Sequence, residues 1–318
     1  MHKQLSFLLC ALLMSAHAAA EYPERPIRLI AVGAPGGTPD ILSRRLGGPL
    51  SEVFGVQIVV DNRASFGGIA TAELVAKAPA DGYTLYMTYH QHTVNASLVA
   101  KLPYRPVEDF TPITQMTQAA LVLVVHPTAP VSTMREFIEW TKAMPTPASF
   151  GSAGVGSGGH MAGELYKMMT GVKAQHVPYK SASASLIDLA ANQYQFNFAG
   201  MQTSQAYLRT GRLKAIAVTS LKRNAAMPDV PTVNESALPG FEIVGWYGML
   251  APAGLPKPVL TRINAEVVRI AQTQAFRDNV SADGSEIVTN TPEAFRAFLV
   301  ADVAKWAKIM KDSGAKAD

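Results

Sequence analysis

Hydrophobic and polar positions along the chain alternate between two periodicities. Short apolar or β-branched runs, "IRLIAV", "QIVVDN", "YTLYMTY", "LVLVVH", "ASFGSA", "AQHVPY", "QFNFAG" and "LKAIAVTS", end at turn-forming residues and predict strands. Between several of them, "DILSRRLGGPLSEVF", "GIATAELVAKA" and "HMAGELYKMM" space their apolar residues as amphipathic helices do. Strand and helix in turn predict an α/β fold with mostly parallel sheets and helices on both faces. The last third differs. After the breaker "APAGLPKP", Leu260, Ile263, Val267 and Ile270 recur at helical spacing, and after "NTPEAF" so, roughly, do Phe295, Phe298, Val303, Trp306 and Met310. Both stripes predict helices that pack back onto an existing core.

The length, 318 residues at 48% hydrophobic, suffices for two domains. "QAALVLVVHPTAP" around 118–130 and "VGWYGMLAPAG" around 244–254 are the stretches best suited to pass between them. They divide the chain into a discontinuous lobe, 21–122 plus 248–318, and a continuous lobe, 123–247, with two crossing strands as a hinge.

The first twenty residues, "MHKQLSFLLCALLMSAHAAA", carry a basic start at Lys3, an apolar run from Leu5 to Met14 and small residues at Ala18 and Ala20. This is the pattern of a cleaved export signal, and the apolar run is shorter than the roughly 20 residues a membrane span needs. Cleavage after Ala20 leaves 298 residues and removes Cys10, the single cysteine, so no disulfide or cysteine metal site is expected. The formal charge of +4 becomes +3 when Lys3 leaves. That excess is too small for a nucleic-acid footprint, which points to a small-molecule cargo.

Two glycine loops carry the candidate chemistry. "GAPGGTPD" from Gly33 follows a predicted strand and opens a helix, and "SAGVGSGGH" from Ser152 repeats the arrangement in the other lobe. A helix start offers unpaired N–H groups and about half a positive charge, so such a loop binds anions without a basic side chain. "NRASFGG" and "PYKSASAS" have the same character. The plainer alternative, tight strand-to-helix turns and nothing more, is weakened by the repetition. Gly154, Gly156 and Gly159 satisfy G-x-G-x-x-G, but "HVPYKSA" stands where a dinucleotide site places its acidic residue. Neither G-x-S-x-G nor H-E-x-x-H occurs, so no catalysis and no cofactor are expected; a metallo-hydrolase built on His90, His92 and His160 is the rival reading.

"YPERPIRLIAVGAPGGTPDILSRRL", "VVDNRASFGGIATAELVAKAPADGYTL", "PYRPVEDFTPIT", "SAGVGSGGHMAGELYKMMTGV", "HVPYKSASASLIDLAANQ", "GRLKAIAVTSLKRNAAMPDVPTVNES" and "GWYGMLAPAGLPKPV" follow one another along nearly the whole mature chain. In that order they resemble the tripartite tricarboxylate transporter substrate-binding proteins, the Bug family. The resemblance implies a two-lobed periplasmic binding protein of the type II kind, a monomer that delivers a carboxylate to membrane permease subunits. It also implies that both glycine loops hold the carboxylate through backbone amides and ordered water. By position, the first loop contributes Pro35, Gly36, Thr38 and Asp40, the second Ser152, Ala153, Gly154, Ser157 and His160, and "VPYK" the cleft residue Tyr179.

Departures from the family pattern bear on the ligand. Ala199 stands where relatives carry Asp, Phe66 enters a loop usually made of small residues, and "YHQHTVN" brings Tyr89, His90 and His92 to a third strand end. A less acidic, more aromatic pocket follows, with Phe198, Met201 and Trp246 as further candidate walls. Such a pocket favours an aromatic dicarboxylate of the terephthalate or phthalate type over an aliphatic di- or tricarboxylate.

Overall fold

The computed structural model describes residues 22–281 and 284–313, so the export signal read at 1–20 lies outside the described residues. β1 (Ile27–Val32), β2 (Ile58–Arg63) and β3 (Thr84–Tyr89) run parallel, with β1 between the other two. α1 (Thr38–Phe54) joins β1 to β2, and a 3-10 turn (Phe66–Gly68) followed by α2 (Ile69–Ala76) joins β2 to β3. α1 turns Leu42, Leu46, Leu50 and Phe54 onto the sheet and stops at Gly55, which is left-handed. Parallel strands end on one edge of a sheet, so the loops after all three gather there. β3 leads directly into α3 (Gln91–Leu98).

β4 (Phe110–Val125) is 16 residues long, whereas the sequence pattern marks only its end. Its first half is buried on both sides and includes Thr114, Gln115 and Thr117, which erase the apolar alternation expected of a half-exposed strand. Those polar residues are satisfied internally: Thr114 Oγ1 donates to Asn290 O at 2.9 Å and Gln115 N–H to Asn290 Oδ1 at 2.9 Å. After α4 (Met134–Ala143), started by a capping box between Thr133 and Glu136, comes the second wing. There β5 (Ala148–Ser152) lies between β6 (Ala174–Pro178) and β7 (Phe196–Gly200), all parallel, connected by α5 (Gly158–Thr170) and α6 (Ala182–Ala190). α7 (Met201–Arg209), β8 (Lys214–Val218) and α8 (Val233–Ser236) complete it. β9 (Val244–Pro252) then returns to the first wing, followed by α9 (Lys257–Ala271), α10 (Gln274–Ser281), β10 (Ser285–Ile287) and α11 (Pro292–Ser313).

The strands follow the path β2-β1-β3-β9-β4-β7-β5-β6, with β8 and β10 also paired to β4. Phe110–Ala120 pair with β9, while Leu121–Val125 pair with β7 and β8, so β4 passes from one lobe to the other at Ala120–Leu121. The chain returns at Ile243–Val244. Buried Thr219 stitches the two passages together: it donates its N–H to Leu121 O at 2.9 Å, and its Oγ1 accepts from Leu121 N–H at 2.8 Å. The same residue accepts from Ile243 N–H at 3.0 Å through its carbonyl.

The C-terminal helix departs from the expected division of the chain. Phe295 and Leu299 pack with Trp246 in the first lobe, but Trp306, Ile309 and Met310 join the second lobe's core beside Phe150, Phe196 and Phe198. The stripe read from the sequence is therefore one helix serving two cores.

Candidate functional site

A cleft of about 760 Å³ opens where the strand-end loops of the two lobes face each other. The first lobe lines it with Gly67, Tyr89, His90, Gln91, Asn95, Leu98, Val99 and Tyr247. The second lobe contributes Ala153–Val155, Ser157–Gly159, Tyr179, Ala182, Ser185 and the β7 end from Asn197 to Gly200. Among the described residues, no Asp, Glu, Lys or Arg lines the cleft.

The second glycine loop forms one wall. Ser157 caps α5, its Oγ accepting from His160 N–H at 3.3 Å, and Ser157, Gly158 and Gly159 at this helix start are lining residues of the cleft. His160 does not reach the ligand space. Its ring is buried, its Nδ1 accepts from Gly156 N–H at 3.1 Å, and it stacks on His176 with centroids 3.9 Å apart. His176 Nε2 lies 2.7 Å from Ser152 Oγ, which accepts from Gly154 N–H at 3.1 Å. Ser152 and His160 thus shape the loop from behind. Burial, with the neighbouring His176 and Lys167, holds His160 down at about 3, and burial with Lys167 holds His176 at about 4. Both imidazoles are neutral at physiological pH and serve as hydrogen-bonding groups.

The first glycine loop is satisfied by its own residues. Asp40 Oδ2 accepts Gly36 N–H at 2.8 Å, Gly37 N–H donates to Ala34 O at 3.2 Å, and Asp40 pairs with Arg44 at 2.8 Å. Burial opposes ionisation of Asp40, but the Gly36 amide and Arg44 outweigh it and hold the carboxyl below its usual range. Pro35, Gly36, Thr38 and Asp40 share the sheet edge that faces the cleft, yet none of them lines it. An acidic side chain already occupies the helix start the sequence offered to an anion.

The expected aromatic walls divide by strand alternation. Tyr89 lines the cleft and packs on Tyr247 at 6.3 Å, and Tyr179 lines it while its hydroxyl donates to Asp188 Oδ2 at 2.8 Å. Burial and that bond raise the Tyr179 hydroxyl's pKa. Trp246, one residue before Tyr247, faces the opposite way: it is wholly buried, and its Nε1 donates to Asp302 Oδ2 at 2.9 Å. Phe198 borders the cleft, but its side chain is buried and stacks on Phe241. Met201 lies in the core with Leu186 and Leu189. Ala199 is a lining residue, whereas the Phe66 side chain lies outside the described ones. The sequence reading missed Tyr247, Asn197 and Ser185. Alternation along "VGWYGML" and "FNFAG" was the signal that separates Tyr247 from Trp246 and Asn197 from Phe198.

The metallo-hydrolase reading does not survive this geometry. His90 lines the cleft, held near 4 by burial against the opposing pull of Asp302. His92 is buried, with Nε2 2.9 Å from Pro106 O and its ring stacked on Tyr104. Among the described residues no three His, Cys, Asp or Glu side chains gather as a metal would require.

The family model for the tripartite tricarboxylate transporter family receptor matches residues 42–315. The chain belongs to that receptor family. It is accordingly a binding receptor and not an enzyme. Protein BugT of Bordetella pertussis is 31% identical over 98% of this chain and 96% of its own length. Among solved structures, the adipate-bound Rpa4515 of R. palustris is 32% identical, with a TM-score of 0.78 over 92% of this chain and 99% of its own. The malate-bound MatC of Rhodopseudomonas palustris is 27% identical, with a TM-score of 0.74 over 91% and 99%. The receptor's α/β fold is thus that of periplasmic solute-binding proteins. Among its described residues no helix is long and apolar enough to cross a membrane.

Proposed function

We propose that this receptor captures a small carboxylate in the cleft between its lobes, outside the cytoplasmic membrane, for delivery to the permease subunits of a tripartite tricarboxylate-type transporter. One observation carries the reading: the helix start at Ser157–Gly159 opens into a cleft whose lining, among the described residues, holds no Asp, Glu, Lys or Arg. The helix dipole and first-turn amides attract an anion there, and nothing in the wall repels it. A carboxylate lies against Ala153–Gly159 and the body of the ligand extends toward Tyr89, Tyr179, Tyr247, Ala199 and Leu98.

An aromatic dicarboxylate of the terephthalate or phthalate type is the favoured ligand. Three tyrosine rings border the space, and Ala199 leaves it open and uncharged; stacking geometries add about 0.5–1.5 kcal/mol beyond area burial. Asn197 and Ser185 add neutral polar surface to the wall, their donors held internally: Asn197 Nδ2 donates to Ser185 Oγ at 3.1 Å and Tyr194 Oη at 3.0 Å, and Ser185 Oγ donates to Ala182 O at 2.8 Å. The alternative, an aliphatic dicarboxylate, is favoured by the adipate and malate in the related structures. Calorimetric titration of terephthalate, phthalate, adipate, malate, citrate and glutamate separates the two. The favoured reading requires an aromatic acid to bind most tightly, and an aliphatic acid at the top of the series overturns it.

A further inference from the structure

Gly156 meets the first lobe across the cleft. A Cβ at this position would fall 2.4 Å from Leu98 Cδ1 and 3.0 Å from Gln91 Nε2, both on α3. The Gly156 N–H is meanwhile held from behind by His160 Nδ1 at 3.1 Å. The receiving surface is fixed as well. Gln91 Nε2 donates to Asn95 Oδ1 at 2.9 Å, and Asn95 Nδ2 donates to Gly67 O at 2.8 Å and to Tyr104 Oη at 3.2 Å. One turn before Leu98, Val94 is buried in the second lobe's hydrophobic core, and Leu98 packs against that same core.

We infer that the seat of Gly156 on Leu98 and Gln91 is the latch by which the second lobe's ligand loop docks on the first, and that the fit between Gly156 and Leu98 sets the population of the closed receptor. The inference deepens the proposed function and rests on the cleft being the ligand site. Glycine serves two separable needs here, since φ is +78° and the Cβ space is already filled by Leu98. Alanine at 156 violates both, and shortening Leu98 relieves only the second. A Cβ at 156 meets the ends of two side chains, so it is relieved either by a turn of Leu98 or by parting of the lobes; Gln91 is held by Asn95 and Leu98 packs on the second lobe's core, and the wedge therefore favours the open arrangement.

The mature chain has no cysteine of its own, so spin labels can be placed at Glu52→Cys on the first lobe and Ile187→Cys on the second, both exposed positions. Distance distributions are measured with and without terephthalate and adipate for wild type, Gly156→Ala, Leu98→Trp, Leu98→Ala and the double variant Gly156→Ala/Leu98→Ala. Gly156→Ala and Leu98→Trp are expected to lengthen the inter-lobe distance. If the closed fraction drops to about a tenth, apparent affinity for the acid that binds falls about tenfold. The double variant is expected to restore the short distance and bring affinity back to within about threefold of Leu98→Ala. Leu98→Trp leaves the glycine backbone untouched and keeps the test alive if Gly156→Ala folds poorly. An unchanged distance in both wedge variants overturns the latch, and so does a lengthened distance in Gly156→Ala that Leu98→Ala fails to restore. If neither acid binds while the distances still follow the latch, the ligand assignment fails and the latch stands.

Discussion

Placing a carboxylate at position 199 tests the charge-neutral pocket directly. Ala199 is 4% exposed and lies on the same face of β7 as Asn197, lining the cleft. In Ala199→Asp the new carboxylate would stand within about 4 Å of a ligand carboxylate, where two like charges repel by about 4 kcal/mol at an effective dielectric near 20. That corresponds to roughly three decades in affinity, and salt or an outward rotamer reduces it, so a loss of ten- to a hundredfold is expected for terephthalate. The same charge attracts an ammonium group, so glutamate should lose less or gain. Ala199 also packs with Ala120, Val122 and Leu189, so an acidic side chain costs stability in its own right. Ala199→Asn, of nearly the same shape and no charge, isolates the electrostatic part. Calorimetry on wild type and both variants at low and physiological salt, with circular dichroism to confirm folding, provides the comparison. Two results would refute the reasoning. One is terephthalate binding in Ala199→Asp within threefold of Ala199→Asn; the other is wild-type protein binding glutamate or citrate at least tenfold more tightly than any aromatic acid.

Three further outcomes follow from the structure. Thr219→Val keeps the shape but removes the hydroxyl that accepts from Leu121 N–H, so urea denaturation should show a loss of about 1–3 kcal/mol; no change would mean that the Thr219 hydroxyl adds nothing to the backbone bonds that join the hinge passages. Asp302→Ala orphans the buried Trp246 Nε1, 2.9 Å from Asp302 Oδ2, and leaves Thr93 Oγ1 to its second acceptor, His90 O at 2.8 Å, so it should cost about 1–3 kcal/mol, a result undone if melting temperature is unaffected. His92 and His160 are held near 4 and 3, below the unfolded value of about 6.5, so the unfolded chain binds more protons in acid. Their contribution is complete above about pH 6.5 and lost progressively as pH falls toward 4, by of order 2 kcal/mol per group at pH 4.5; a melting temperature independent of pH between 7 and 4.5 would contradict the buried, neutral assignment.

The parallel wings were legible because each strand there is short, apolar and closed by turn residues; "IRLIAV" coincides with β1 from Ile27 to Val32. The first half of β4 was not, since a strand buried on both faces can hide Thr114, Gln115 and Thr117 behind internal hydrogen bonds. α11 shows a different limit. Its stripe from Phe295 to Met310 correctly marks a buried helix, but a stripe does not say that one helix touches two cores. At the site, Ala153, Gly154, Ser157, Tyr179, Tyr89, His90 and Ala199 meet in one cleft as the loop pattern implied. Trp246 and Met201 do not, and Phe198 borders the cleft with its side chain buried against Phe241, because residue type was weighed without strand parity. Asp40 was legible as a residue but not as the group that occupies its own loop's amide.

A crystal structure of the receptor grown with terephthalate, and a second with adipate, would test the central claim most directly. The account predicts one acid per chain in the cleft, with a carboxylate on the Gly158 and Gly159 amides at the helix start and Gly156 seated against Leu98. An acid bound elsewhere on the surface, or held in the cleft by a different wall with the Gly158 and Gly159 amides facing solvent, would contradict it.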